Sequence, residues 1–342
     1  MPRKFWNGTK EVNIIPKHLV DGEFKPIVPG YNAGDFLPIE NSEPIYRTLF
    51  EKKAVLPVHD SGVQSIALDR DGNIYTATVN RRLRKFDSNG EMVWEVQRHS
   101  ASINKILVMP DNSLVTCGDD GFIIQTLPNG DLGWSVNPHQ GWIYTIALDN
   151  QGNLISGGQD RKLIKMDSNG NEIWSNEDNA ASIRSIVIDD ANNIYCGGED
   201  MVLRKYSSSG ALLESTNVGS LIRSLSINVT TNRVFAVTAS RFVYEYNINL
   251  EKRNEFNFFG FDFSMIKVVD QHLYMGMNNG KIHKFSLAGM DAGVIHKHSN
   301  IVRDIIVTPD FIYTASIDGG VFKLSNELFL IGYRVTRPPI DA

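Results

Sequence analysis

Three tryptophans, Trp94, Trp134 and Trp174, stand forty residues apart, each four residues after a glycine, in the segments SNGEMVW, PNGDLGW and SNGNEIW. A chain that repeats at this period is built from one supersecondary unit stacked many times, because a single such unit cannot bury its own apolar face. His59, His99 and His139 keep the same spacing. A two-residue apolar step recurs at Ile74-Tyr75, Leu114-Val115, Leu154-Ile155, Ile194-Tyr195, Val234-Phe235, Leu273-Tyr274 and Ile312-Tyr313, at intervals of 40, 40, 40, 40, 39 and 39 residues. Seven copies of one unit therefore fill about residues 58–338.

Each unit holds four short runs of strand character. In the third they are WIYTIAL, NLISGG, KLIKM and EIWSN, separated by DNQG, QDR and DSNG. Those separators are turn chemistry, and strands joined by such short turns pair antiparallel. The pattern predicts an all-β chain: a seven-bladed β-propeller of four-stranded antiparallel blades, with a short N-terminal extended segment. Residues 1–42 fall outside the repeat and hold Pro16, Pro26, Pro29 and Pro38 with Gly30 and Gly34. A segment of that composition builds no core alone, so it reads as an attachment segment preceding a propeller over 43–342. Blade seven needs an outer strand, and two segments have the composition for it: LFLIGYRV near the C-terminus and residues 45–56, IYRTLFEKKAVL.

Composition narrows the function. The net charge is −5, which argues against a general nucleic-acid binder, since phosphate contacts need clustered positive charge. Two cysteines, Cys117 and Cys196, exclude a disulfide scaffold and a cysteine-only zinc site. They fall in corresponding strands of repeats two and four and read as isolated buried thiols. No apolar run reaches the roughly 18 residues of a membrane span, and the N-terminus shows no export signal. The expected product is soluble and made in the cytoplasm, with no membrane contact. The triplets at Asn7 and Asn228 are discounted as glycosylation sites on the same ground.

The blade-opening histidines His59, His99, His139 and His298, with the turn acids Asp120, Asp160, Asp200 and Asp318, resemble the WD-repeat family. The resemblance implies that a histidine–serine/threonine–aspartate–tryptophan chain ties each blade. This sequence departs from the pattern, because its third strands end in Phe86, Met166, Tyr206 and Phe285 instead of tryptophan. Tryptophan sits in the fourth strand after D-S-N-G, which is similar to the docking motif of quinoprotein-type repeats. A second resemblance lies in FWNGTKEVNIIPKHLVDGEFKPI, which is similar to short W-[ND]-G-T-x-x-V modules of tail and other virion proteins from phages of Gram-positive bacteria.

Chemistry-bearing constellations are few. Histidines at equivalent blade positions lie around a wide circle and do not converge on one ion, so they read as blade ties; His296 and His298 form the one H-K-H pair. Motifs for serine, zinc or phosphate-loop catalysis are lacking, sialidase-type boxes fail on spacing, and Asp87, Asp167 and Asp189 read as turn caps. No enzyme, cofactor or metal is expected. Binding candidates are the first positions of the channel-lining strands, Gln64, Asn104, Tyr144, Arg184, Arg223 and Arg303, with Trp142 beside them; blade six is ambiguous here. Lys85, Lys165, Lys205, Lys284 and Lys323 recur in the third strands and read as solvated surface lysines. The run Phe256, Phe258, Phe259, Phe261 and Phe263 reads as inter-blade core.

The expected function is a non-enzymatic phage structural protein of tail, baseplate or neck, present in the virion. Residues 1–42 attach it to other virion proteins through Trp6, and the propeller serves as a rigid interaction module, with Trp142, Tyr144, Arg184, Arg223 and Arg303 binding a partner. An intracellular WD-repeat-like scaffold in the cytoplasm is the alternative. A carbohydrate-binding propeller that recognises a host surface through Trp94, Trp134 and Trp174 is another.

Overall fold

The computed structural model describes residues 56 and 59–325, apart from 259, 290–292 and 297. It also gives the backbone strands at Lys4–Trp6, Glu11–Asn13, Lys17–Val20, Glu23–Pro26, Ser42–Leu49, Lys52–Val55 and Glu327–Val335. The chain divides into two compact units. One comprises residues 1–52, 309–311 and 324–342; the other comprises 53–308 and 312–323. In the first unit Ser42–Leu49 pairs antiparallel with Glu327–Val335, which is followed in the sheet by Lys17–Val20 and Glu23–Pro26.

The second unit carries seven four-stranded antiparallel sheets, the blades of a β-propeller. Six consist of consecutive strands. Their inner strands are Val63–Leu68, Ile103–Val108, Ile143–Leu148, Ile183–Ile188, Ile222–Asn228 and Phe263–Val269, and each is followed outward by three more. Blade seven runs Val302–Val307, Phe311–Ser316 and Val321–Ser325, and takes Lys52–Val55 as its outer strand. The ring is thus closed from the N-terminal side of the propeller. LFLIGYRV, the other segment with suitable composition, lies in Glu327–Val335 and pairs with Ser42–Leu49 instead. The amide of Leu56 donates to Val321 O at 3.2 Å and that of His59 to Gly319 O at 3.1 Å, extending the closure past the strand.

Burial peaks at the second strands and falls toward the rim. Ile74–Thr78, Leu114–Gly118, Leu154–Gly158 and Ile194–Gly198, the second strands of blades one to four, are buried at every residue. The outer strands Met92–Gln97 and Leu212–Asn217 are mostly exposed. A strand covered on both faces reads as continuous hydrophobic sequence, which is why the second strands show no polar alternation. The core lies between blades: Val115, Cys117 and Ile123 of blade two pack with Ile143, Ile146 and Leu154 of blade three. Phe258 and Phe263 join Phe285 in the blade five–six core, with Phe256 and Phe261 packed against it; Phe259 lies outside the described residues. Both cysteines are free and buried. Burial pushes the Cys196 thiol up to about 12 and raises Cys117 as well, which leaves both unreactive.

The rim tryptophans lock successive blades. Trp94, Trp134 and Trp174 lie over Gly130, Gly170 and Gly210 of the following blade, with ring atoms at 3.4, 3.0 and 2.9 Å from where a Cβ would stand. Each indole Nε1 donates to a carbonyl in the same turn: Pro128 O at 3.2 Å, Ser168 O at 3.1 Å and Ser208 O at 3.2 Å. Phe256 takes this place over Gly289, and Leu56, just beyond the closing strand, takes it over Gly90 of blade one. Each of these indoles thus packs one blade against the next.

The blade tie is complete in three blades. A carboxylate only accepts, so Nδ1 of the neutral imidazole donates to aspartate and Nε2 accepts from the hydroxyl. His99 bonds Asp120 at 2.9 Å and Thr116 at 2.9 Å; His139 bonds Asp160 at 2.8 Å and Ser156 at 2.8 Å; His298 bonds Asp318 at 3.2 Å and Thr314 at 2.9 Å. In blade one His59 reaches Thr76 at 2.9 Å, and the turn holds Asn80, which bonds Asp60. Blade four departs from the expectation for Asp200. Asn179 replaces the histidine there, and Arg204 bridges Asn179 Oδ1 at 3.1 Å and Asp200 at 2.6 Å. The turn caps are as expected: Asp87, Asp167 and Asp189 each accept from backbone amides two and four residues on.

The third-strand lysines correct the sequence reading, because three of them are not solvated. Lys165, Lys205 and Lys284 are 4%, 7% and 6% exposed. Lys85, Lys205 and Lys284 face the second-strand Tyr75, Tyr195 and Tyr274 across the ladder. Their ammonium groups lie 5.5, 5.6 and 5.4 Å from the ring centroids. Lys165 instead meets the buried Asp149 at 2.9 Å and donates to Ser208 O of blade four at 3.1 Å. A third-strand side chain is flanked by strands on both sides and by the next blade, so its aliphatic stem is buried even where its tip is charged.

Candidate functional site

The first residue after the opening apolar position of each inner strand points to the channel. Gln64, Asn104, Tyr144, Arg184, Arg223 and Arg303, together with Trp142, line one cavity of about 780 Å³. The blade-six position left open by the sequence is Ser264, which lines the same cavity. Its assignment was hidden because that repeat is a residue short and its inner strand opens within the phenylalanine run. Trp6 lies outside the described side chains.

Two kinds of side chain share this ring. One kind staples adjacent blades. Asn104 Nδ2 donates to Ile143 O at 2.9 Å, Arg223 to Phe263 O at 2.8 Å and Ser264 Oγ to Val302 O at 2.6 Å, in each case the first inner-strand residue of the next blade. Asn104 also bonds Asp119 at 2.7 Å, and Arg223 pairs with Asp262, which Asn278 holds at 2.7 Å. Burial opposes ionisation of Asp262, but the bonds from Arg223 and Asn278 outweigh it and hold the carboxyl below its ordinary pKa.

The other kind forms a surface. The Arg184 guanidinium lies 3.9 Å from the centre of the Tyr144 ring. Trp142 meets that ring edge-on, at 6.2 Å between centroids and 85° between planes. Trp142 is 47% exposed. Arg184 is fixed from behind by Glu199: its Nε donates to Oε1 at 3.0 Å and a terminal nitrogen bonds the same atom. Ser182 Oγ donates to the other carboxylate oxygen at 2.8 Å. The Arg184 bond leads in holding Glu199 below the usual carboxylate range. Burial pushes the Tyr144 phenol up, with Arg184 opposing. The result is a rigid Trp142–Tyr144–Arg184 shelf whose outward face has no described covering.

The sequence reading missed residues deeper in the channel. Lys105, Lys267 and Asp304 line the same cavity. Asp304 of blade seven accepts from Ser65 Oγ at 2.7 Å and Ile66 N at 3.2 Å, both in blade one, and from Lys105 Nζ of blade two at 2.8 Å. It fills the place where Ser185 and Ser224 accept amides from the next blade's inner strand at 2.9 and 3.3 Å. Its signal was a carboxylate at a repeat position held by Ser65, Thr145, Ser185 and Ser224 in four other blades, and by Lys105 and Met265 in the remaining two. Among the described residues no group of three or more histidine, cysteine, aspartate or glutamate side chains gathers as for a metal ion. The His296 and His298 rings meet edge to face at 5.1 Å.

Compared with known proteins, residues 90–125 match the family described as WD domain, G-beta repeat. No curated protein matches the chain. The matched stretch runs from the turn before the outer strand of blade one to the third strand of blade two, and so straddles two blades. It contains the complete His99–Thr116–Asp120 tie and Trp94. In sequence and in blade architecture the chain is similar to WD-repeat propellers.

Proposed function

We propose that this chain is a non-enzymatic protein-interaction propeller that docks a partner at the channel mouth. The Trp142–Tyr144–Arg184 shelf carries the reading. Tryptophan, tyrosine and arginine are the residue types enriched at binding hot spots, and Glu199 holds Arg184 in place before a partner arrives, which lowers the ordering cost of association. Trp142→Ala and Arg184→Ala are each expected to weaken a captured partner at least tenfold, about 1.4 kcal/mol, with unchanged thermal unfolding. Equal affinity for wild type and both variants rejects the docking face.

The finer reading places the protein in a phage particle, with residues 1–42 attaching it to tail, baseplate or neck proteins and the mouth left for a further partner. Its support is the W-N-G-T-x-x-V pattern from Trp6 to Val12, around which Lys4–Trp6 pairs antiparallel with Glu11–Asn13. Mass spectrometry of purified particles, run beside soluble host lysate, is expected to find the chain at a fixed ratio to capsid or tail proteins. Trp6→Ala is expected to release it from particles with the propeller still folded. Recovery only from the soluble fraction returns the protein to a cytoplasmic scaffold role.

A further inference from the structure

The channel does not share the acidity of the whole chain. Its lining carries Lys105, Arg184, Arg223, Lys267 and Arg303 against Asp119 and Asp304, in a protein of net charge −5. Three of those cations are matched: Lys105 by Asp304, Arg184 by Glu199 and Arg223 by Asp262. Lys267 and Arg303 make no hydrogen bond or ion pair among the described residues, although both side chains face the lumen. We propose that the lumen binds a small polyanion of the phosphate class, held between Lys267 and Arg303.

Geometry supports a ligand with more than one negative group. The two cations sit on the inner strands of neighbouring blades six and seven. Lys267 lies three strand positions deeper than Arg303, a step of about 10 Å along the channel. A monovalent anion meets one of them, whereas a short linear polyanion meets both. The cavity of about 780 Å³ falls within the roughly 300–1,000 Å³ usual for small-molecule sites, and its lining carries five cations against two carboxylates, an excess that attracts counter-ions. The surroundings leave both cations short of counter-charge. Partial desolvation inside the channel, then Lys105, holds the Lys267 ammonium below its ordinary pKa, with Asp304 acting the other way. Partial desolvation, then Arg184, does the same to Arg303.

The test is calorimetric titration of the full chain with inorganic tripolyphosphate, repeated at higher salt. Saturable binding is expected, weakening several-fold with salt as screening grows. Lys267→Gln and Arg303→Gln are each expected to weaken it at least tenfold, Lys267→Arg to retain it, and Lys162→Gln, a rim substitution, to leave it unchanged. Thermal unfolding of each variant checks the fold; should a glutamine variant fail to fold, the comparison of wild type with Lys267→Arg and the salt dependence still read the site. Absence of binding, or equal binding by folded glutamine variants, overturns the proposal. Binding of an aspartate-rich peptide but not tripolyphosphate also overturns it and gives these cations to the docking mouth. No partner protein is needed, and Trp142→Ala is expected to leave tripolyphosphate binding intact, so this site and the docking face stand or fall separately.

Discussion

At the scale of single residues, buried polar ties and close backbone approaches carry the largest penalties. Thr116→Val keeps the shape of the side chain but strips the partner from His99 Nε2. A buried group left unsatisfied costs about 1–3 kcal/mol, read as a lowered urea midpoint with an unchanged slope. Gly170 has φ +83, and an added Cβ would stand 3.0 Å from the Trp134 ring. Gly170→Ala is therefore expected to cost about 1–2 kcal/mol or more, since left-handed backbone and ring contact penalise it together.

The same ties make stability depend on pH. Burial lowers the His298 pKa, and Asp318 only partly offsets it. The unfolded chain thus takes up a proton that the folded one refuses, and stability falls as pH drops below about 6.5. Asp120, Asp160 and Asp318 are opposed by burial, but their hydrogen bonds win and hold them below the ordinary value. Their contribution is present above about pH 4 and is lost as pH falls through the folded values. Urea midpoints measured from pH 8 to pH 3 are expected to decline in two stages. His298→Gln should flatten the upper one, and a flat profile across pH 5–7 in the wild-type protein contradicts the assignment.

At the scale of strands, the inter-blade locks separate decorative charges from structural ones. Lys165 and Asp149 are buried together, so Lys165→Met leaves a carboxylate without its counter-ion, at about 3–5 kcal/mol. Lys162 meets Glu177, whose side chain is 71% exposed, and Lys162→Met is expected to leave the midpoint unchanged. Trp174→Ala removes a half-buried ring from Gly210 and is expected to cost about 2–3 kcal/mol, less than the 3–5 of a fully buried aromatic. These elements were legible to different depths. The N-G-x-x-x-W spacing, kept at the repeat period, foreshadowed the tryptophan lock because each indole meets the next blade's glycine at a constant offset of 36 residues. The lysine series had equal regularity, but its burial depends on how closely blades stack, which no single unit encodes.

At the scale of the whole molecule, ring closure decides stability. Lys52–Val55 completes blade seven, Leu56 packs over Gly90, and Asp304 joins blades seven, one and two. A chain beginning at residue 43 retains these features and is expected to unfold cooperatively. One beginning at residue 57 loses the outer strand of blade seven and should melt at lower temperature over a broader range. Equal melting of the two truncated chains contradicts closure by this strand.

The seven-fold repeat, the antiparallel four-stranded unit and, in every blade but the sixth, the residues that open the inner strands were readable from the chain itself. Each follows from local turn chemistry and a nearly constant period, so Tyr144, Arg184 and Arg303 were identifiable as channel residues from their offsets. Only the tertiary structure decided which distant segment closes the ring, that Arg223 is a staple while Arg184 belongs to a surface, and that Lys267 and Arg303 face the lumen with no hydrogen bond or ion pair among the described residues. Those outcomes depend on which groups of neighbouring blades meet once the ring is closed. Pairing across more than two hundred residues, such as Ser65 with Asp304, leaves no periodic trace in either partner.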